Sequence, residues 1–101
     1  MFNFLKNLFG PGVDFKALAE AGALIIDVRT PEEFRQGHVK GSVNIPLQAI
    51  QGKVSDLKKK QKVVIAVCRS GARSGVATNI LKQAGIEAYN GGPWNSLAAK
   101  I

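Results

Sequence analysis

The chain has 101 residues, of which 46% are hydrophobic and 21% are charged, and its formal net charge is +7 at pH 7. This length fits one globular domain, and a single cysteine excludes both an internal disulfide framework and a zinc site built from several cysteines. The positive charge favours anionic ligands, but the basic residues are scattered apart from a run at residues 58–62, so nucleic acid is not an expected partner.

Residues 1–12 are expected to form a short helix or extension ahead of a domain that spans residues 13–101. The extension is too short and too interrupted for a transmembrane span, and it lacks the uninterrupted apolar core of a signal peptide. Phe2, Leu5 and Phe9 would share one helical face, which favours docking on the domain itself over anchoring at a membrane surface. A single cysteine suits a reducing compartment, and we predict a cytoplasmic location.

The first half of the domain is predicted to alternate helices with strands. The predicted elements are a helix over 15–21 capped by Asp14, a strand over 23–28, a helix that follows Thr30 and ends at Gly37, and a brief strand over 43–45. Thr30, Pro31 and Glu33 mark the second helix start, because they supply an N-cap, a proline at the first helical position and a capping box.

The second half of the domain contains its most apolar predicted strand. A helical or irregular crossover over 47–57 leads to residues 63–67, a continuous β-branched run typical of a strand buried on both faces. The elements predicted after it are a helix over 76–84, a strand over 86–89, a turn over 90–93 and a C-terminal helix from Pro93. Strands separated by helical segments predict a parallel sheet in a three-layer α/β/α sandwich.

Cys68 follows the buried strand and precedes a polar loop that opens a helix, which is where open α/β sheets place their ligand sites. The loop N–H groups, the helix N-terminus, Arg69 and Arg73 are expected to hold the thiol pKa below the value of about 8.5 for free cysteine. An inert buried cysteine is the commoner fate of a lone cysteine. Two arginines, a serine and a glycine in the next five residues favour a reactive thiolate instead.

Four stretches, taken together, resemble the single-domain rhodaneses, a family of sulfurtransferases. They are DVR at 27–29 with PEEF at 31–34, GHVKGSVNIP at 37–46, CRSGARS at 68–74, and GG at 91–92 followed by Trp94. The resemblance implies a small central parallel sheet, a persulfide on Cys68, and mainly structural charge pairing for Asp27 and Glu33. One departure is that the family's first edge strand is reduced to little more than Val13.

The residues that the resemblance implies for the site lie in one loop. Cys68 is the candidate nucleophile, and the candidate substrate-binding residues are Arg69, Ser70, Gly71, Ala72, Arg73 and Ser74. The predicted reaction moves a sulfane sulfur from a small anionic donor, thiosulfate or a persulfide, to a thiol or cyanide. It is expected to need no metal and no organic cofactor. The only histidine, His38, is expected to be structural, because an ionised thiolate has little need of a general base.

Two other classes of protein remain open. One is a non-enzymatic sulfur carrier or protein-binding module, although such modules often lack the cysteine that this chain keeps. The other is a cysteine phosphatase, which typically has a histidine before the cysteine and five residues between the cysteine and the arginine. This chain has Val67 before Cys68 and only four residues before Arg73.

Overall fold

The structure is a computed structural model that describes residues 12–101. The predicted N-terminal extension therefore lies outside the described residues, except for Gly12. Within the described range, none of the helices has the length and apolar character needed to cross a membrane.

Helices and strands alternate along the described part of the chain. In chain order they are α1 (Phe15–Glu20), β1 (Leu24–Asp27), α2 (Pro31–Arg35), β2 (Val43–Asn44), α3 (Leu47–Lys60), β3 (Val64–Cys68), α4 (Ala72–Gln83), β4 (Ala88–Pro93) and α5 (Trp94–Lys100). The strands form one sheet in the order β2-β1-β3-β4, and every neighbouring pair is parallel. The predicted parallel sheet is confirmed, and between Gly12 and β1 the described chain holds no strand.

Local capping signals account for the first two helices. The Asp14 carboxylate accepts a hydrogen bond of 3.0 Å from the N–H of Ala17 and caps α1. Thr30 and Glu33 form the predicted capping box at the start of α2, with Pro31 at its first position. The crossover over 47–57, predicted to be helical or irregular, is part of the regular helix α3.

The central strand β3 supplies side chains to two separate apolar cores. Val64, Ala66 and Cys68 pack in the cluster that includes residues of α3 and α4, whereas Ile65 and Val67 pack with residues of α1 and α5. All five residues are at most 1% exposed. A helical layer therefore covers each face of the sheet, as the predicted three-layer sandwich requires.

The prediction of a turn over 90–93 is wrong, because these residues belong to β4. Asn90 lies opposite Ala66 of β3, but Gly92 lies opposite Val67, so the pairing shifts by one residue. The glycine between Asn90 and Gly92 is the extra residue of a β-bulge. A pair of glycines is expected in a turn, but here it allows a bulged strand to pass close to β3.

Gly91 has no room for a side chain. A Cβ atom built on it would lie 2.8 Å from Cγ2 of Ile65 and 2.9 Å from Cγ1 of Val67, both in β3. A Cβ atom on Gly52, which is exposed on α3, would meet nothing within 4 Å. The two glycines therefore test opposite physical effects of the same substitution.

We expect Gly91→Ala to lower the free energy of unfolding by about 1–3 kcal/mol, because the added methyl group overpacks the core. Gly52→Ala should raise it by about 0.5–1 kcal/mol, because alanine loses less conformational entropy than glycine in a helix. Urea unfolding of both variants measures these changes. A stabilising effect of Gly91→Ala would contradict the close approach of β4 to β3.

Candidate active site

Cys68 is the last residue of β3, and its side chain is buried at the point where the chain leaves the sheet. Three residues separate Cys68 from α4, and the last of them, Gly71, is the N-cap of the helix. Gly71 has φ of +102°, a left-handed conformation that glycine adopts without steric cost. This turn folds the loop back so that its N–H groups face the cysteine sulfur.

Three polar groups lie within hydrogen-bonding distance of Sγ of Cys68. The N–H of Gly71 donates at 3.0 Å and the N–H of Ser74 donates at 3.4 Å, while Oγ of Ser74 lies 3.3 Å from the sulfur. Burial raises the pKa of the Cys68 thiol, but the Ser74 hydroxyl and the N–H groups of Ser74, Gly71 and Ser70 together lower it below its ordinary value. The expected direction is confirmed, and hydrogen bonds from the loop N–H groups and the Ser74 hydroxyl are the main causes that lower the pKa.

Arg73 is held by a carboxylate from another element. Its Nη1 and Nη2 donate to Oε1 and Oε2 of Glu33 at 2.8 and 3.0 Å, so the pair is bidentate. The hydrogen bond from Arg73, assisted by the N–H of Thr30, lowers the pKa of Glu33 to about 2. Arg73 therefore ties the end of the loop to α2, and contact between Arg73 and a substrate stays a prediction.

A second ion pair is buried beneath the site. Asp27 and Arg29 are 0% and 5% exposed, and their carboxylate and guanidinium meet at 2.7 Å. Arg29 also donates to the Gly37 carbonyl at 2.6 Å and lies 5.0 Å from the ring centroid of Trp94. The pair thereby joins the end of β1 to the chain after α2 and to α5. Both structural pairings that the resemblance implied, at Asp27 and at Glu33, are confirmed.

Asn90 contacts the loop, although no pattern in the sequence points to it. Its Nδ2 donates to the Gly71 carbonyl at 3.0 Å, and its Oδ1 accepts from Oγ of Ser74 at 2.7 Å. The sequence could not indicate the bulge at Gly91, which determines where the Asn90 side chain lies.

The other predicted loop residues lie at the surface. Arg69, Ser70 and Ala72 are exposed, and the Ser70 hydroxyl accepts a weak hydrogen bond of 3.4 Å from the Ala72 N–H. A cavity of about 340 Å³ opens beside the loop. Its walls come from Arg29, Glu33, Gln36, Gly37, Arg69 and Trp94. Among these, Arg69 offers a guanidinium that no carboxylate of the described residues engages.

The His38 side chain contacts Phe34. Its Nδ1 donates to the Phe34 carbonyl at 2.7 Å, and its ring stacks on the Phe34 ring with centroids 3.7 Å apart. Both contacts are made to Phe34, which lies in α2. These contacts agree with the structural role expected for His38.

Comparison with known proteins identifies the family. The model of the "Rhodanese-like domain" matches residues 13–93. The chain is 35% identical over 83 residues to "Thiosulfate sulfurtransferase PspE" of Escherichia coli, covering 81% of this chain and 80% of that protein. It is 42% identical over 62 residues to a "Sulfurtransferase" of Allochromatium vinosum, covering 61% of this chain but only 57% of that protein.

Two further similarities bear on the fold and the site. The structure "rhodanese with anions from E. coli" has a TM-score of 0.68 and 32% identity, and the match covers 74% of this chain and 91% of that one. "Putative sulfur carrier protein YrkF" of Bacillus subtilis is 35% identical over 63 residues, 62% of this chain and 34% of that protein. The chain therefore belongs to the rhodanese family, as a rhodanese-like domain with sulfurtransferases among its relatives.

Proposed function

We propose that the protein is a sulfurtransferase that carries sulfur as a persulfide on Cys68. The observation that carries this proposal is the convergence of donors from Gly71 and Ser74 on a buried sulfur at the end of β3. Fixed donors in a site shielded from water stabilise charge without reorganising. The thiolate is the nucleophilic form of cysteine, so these donors favour attack by Cys68. The names of the Escherichia coli and Allochromatium relatives support the same activity.

In the first step, the Cys68 thiolate attacks the outer sulfur of an anionic donor such as thiosulfate. A bond forms between Sγ and the outer sulfur, while the original sulfur–sulfur bond breaks and its electron pair leaves with sulfite. The negative charge then resides on the outer sulfur of the persulfide. The loop N–H groups stabilise this charge, and the exposed guanidinium of Arg69 attracts the incoming dianion.

In the second step, a nucleophilic acceptor attacks the outer sulfur of the persulfide. With cyanide the product is thiocyanate, and with a thiolate it is a new persulfide. Sγ of Cys68 leaves with the electron pair and regenerates the thiolate. The two displacements balance in atoms and charge without a redox partner.

The loop favours sulfur over phosphate as the group transferred. Cys68 and Arg73 bracket only four residues. A phosphoryl group presents three equatorial oxygens, each of which needs donors at about 2.7–3.1 Å, whereas one outer sulfur needs far less space. Arg73, the residue that would bind those oxygens, already gives two hydrogen bonds to Glu33.

A sulfur carrier is the second candidate function. It is supported by the similarity to the Bacillus subtilis protein named as a putative sulfur carrier. A carrier would form the same persulfide on Cys68 but would pass its sulfur to a protein partner rather than turn over small molecules. The two functions therefore differ in turnover and not in the loaded state.

We expect the native protein to gain the mass of one sulfur atom when it is mixed with thiosulfate, and to lose it on addition of cyanide. Cys68→Ser should abolish this gain, because Cys68 is the only thiol of the chain. Intact-mass spectrometry measures the loading. A thiocyanate assay with thiosulfate and cyanide in excess shows rapid repeated turnover for an enzyme and only slow release of thiocyanate for a carrier that is adapted to a protein acceptor.

The contrasting substrate is p-nitrophenyl phosphate, which the native protein should leave essentially unhydrolysed. Cys68→Ser is the control, since it removes the nucleophile for either reaction. Hydrolysis of the phosphate ester that depends on Cys68, with no gain of sulfur from thiosulfate, would refute the proposed function. Sulfur loading that persists in Cys68→Ser would refute the assignment of the nucleophile.

Arg69→Gln should lower kcat/KM for thiosulfate about tenfold, which corresponds to about 1.4 kcal/mol of binding energy lost from a solvent-exposed charged contact. Arg35→Gln is the matched control, because Arg35 is also exposed, lies outside the cavity wall and changes the net charge equally. Its effect should stay below about twofold, as expected for screened charge alone. Equal losses in both variants would show that net charge, and not Arg69, attracts the donor.

A further inference from the structure

The orientation of the Asn90 carboxamide is fixed by two backbone groups. The N–H of Gly92 donates to Oδ1 at 2.9 Å, and Nδ2 donates to the Gly71 carbonyl at 3.0 Å. Exchanging the oxygen and nitrogen would set donor against donor at Gly92 and acceptor against acceptor at Gly71. Oδ1 of Asn90 is therefore the atom that lies 2.7 Å from Oγ of Ser74.

This orientation determines where the Ser74 hydroxyl hydrogen lies. Oδ1 of Asn90 carries no hydrogen, so Ser74 must be the donor in the 2.7 Å contact. A hydroxyl has a single hydrogen, and Sγ of Cys68 lies 3.3 Å from the same oxygen. In this arrangement Ser74 offers the sulfur only a lone pair, and the S–H of the Cys68 thiol is the donor.

Ionisation of Cys68 changes which group donates in the contact between Ser74 and the sulfur. A thiolate has no hydrogen to give, and a lone pair of Ser74 directed at it would be repelled. The hydroxyl hydrogen must then turn from Asn90 to the sulfur. Water cannot readily take its place, because Ser74 and Cys68 are both 0% exposed. Asn90 and the Cys68 thiolate thus compete for one hydrogen.

We propose that Asn90 is a positioning residue that controls the direction in which Ser74 donates its hydrogen. With a thiol or a persulfide at Cys68, where Sγ carries no charge, the hydrogen is donated to Asn90. With a thiolate it is donated to Sγ. The persulfide state rests on the proposed function, whereas the competition between Asn90 and the thiolate does not.

Because Asn90 competes for the Ser74 hydrogen, the Cys68 thiolate is stabilised less than it would be without Asn90. A thiolate that is stabilised less is more basic and a stronger nucleophile, since nucleophilicity falls as the thiol pKa falls. Asn90 would also favour the persulfide over the thiolate, because only the persulfide leaves the bond between Ser74 and Asn90 intact. The second effect promotes sulfur loading, whereas the first makes each thiolate more reactive and lowers the fraction of Cys68 that is ionised.

Replacement of Asn90 should leave the rest of the loop in place. Asn90 is exposed, and the Gly71 carbonyl keeps its hydrogen bond of 2.9 Å from the N–H of Gly75. The charged groups around Cys68 are also retained. They are Arg69 and Arg73 of the loop and α4, Glu33 of α2, and the pair of Asp27 and Arg29 at the end of β1.

The test is a pH titration of Cys68 followed by the ultraviolet absorbance of its thiolate, which needs neither a reagent in the buried site nor sulfur transfer and so is independent of the proposed function. Asn90→Ala should lower the apparent pKa of Cys68 by about 0.5–1, because Ser74 then donates freely to the thiolate. Ser74→Ala should raise it. In the Ser74→Ala background, adding Asn90→Ala should change nothing.

A merely structural role predicts the opposite sign. If Asn90 only steadied the loop, Asn90→Ala would misalign the N–H groups of Gly71 and Ser74 and raise the Cys68 pKa with or without the Ser74 hydroxyl. That result, or no change in the native background, would overturn the proposal. Circular dichroism and thermal unfolding establish that each variant is folded.

Asn90→Asp gives a second test that does not depend on Asn90→Ala. A carboxylate is a stronger acceptor for the Ser74 hydroxyl, and its charge also disfavours the thiolate. The Cys68 pKa should therefore rise more with Ser74 present than in the Ser74→Ala background, where only the charge acts. Equal rises in the two backgrounds would overturn the competition.

Discussion

A buried sulfur can carry negative charge only where fixed donors replace the water that it has lost. At Cys68 those donors are the N–H groups of Gly71 and Ser74, together with the Ser74 hydroxyl. The surrounding elements hold the loop that presents them. Asn90 binds it from β4, and Arg73 ties its end to α2. The chemistry of the site therefore depends on the shape of one short loop.

Beneath the loop lies a buried ion pair, formed by Asp27 and Arg29. Removing Asp27 and Arg29 from water is costly, and a buried ion pair of this kind need not add stability over apolar residues of the same size. The pair also connects separate parts of the chain, because the Arg29 guanidinium binds the Gly37 carbonyl and lies over Trp94. One buried cation thus orients three segments around the mouth of the cavity beside the loop.

The sequence predicted the features that depend on neighbouring residues. The apolar run of β3, the capping box at Thr30 and the position of Cys68 at a strand end all follow from local patterns. It could not predict the bulge at Gly91, because a glycine pair is equally typical of a turn. Charge pairing of Glu33 was implied only by family resemblance, and the sequence did not indicate Arg73 as its partner, since the two residues lie 40 positions apart. The sequence predicted that loop N–H groups lower the thiol pKa, but only the folded loop shows that Gly71 and Ser74 supply them and that the Ser74 hydroxyl takes part.

Amide proton chemical shifts report directly on whether the loop N–H groups bind the charged sulfur. In a pH titration followed by NMR, the amide protons of Gly71 and Ser74 should move downfield with the apparent pKa of Cys68, because a thiolate is a stronger acceptor than a thiol. They should shift again when thiosulfate loads the sulfur. The amide of Leu81, within α4, serves as the control. Gly71 and Ser74 amides that do not respond to Cys68 ionisation would contradict the account.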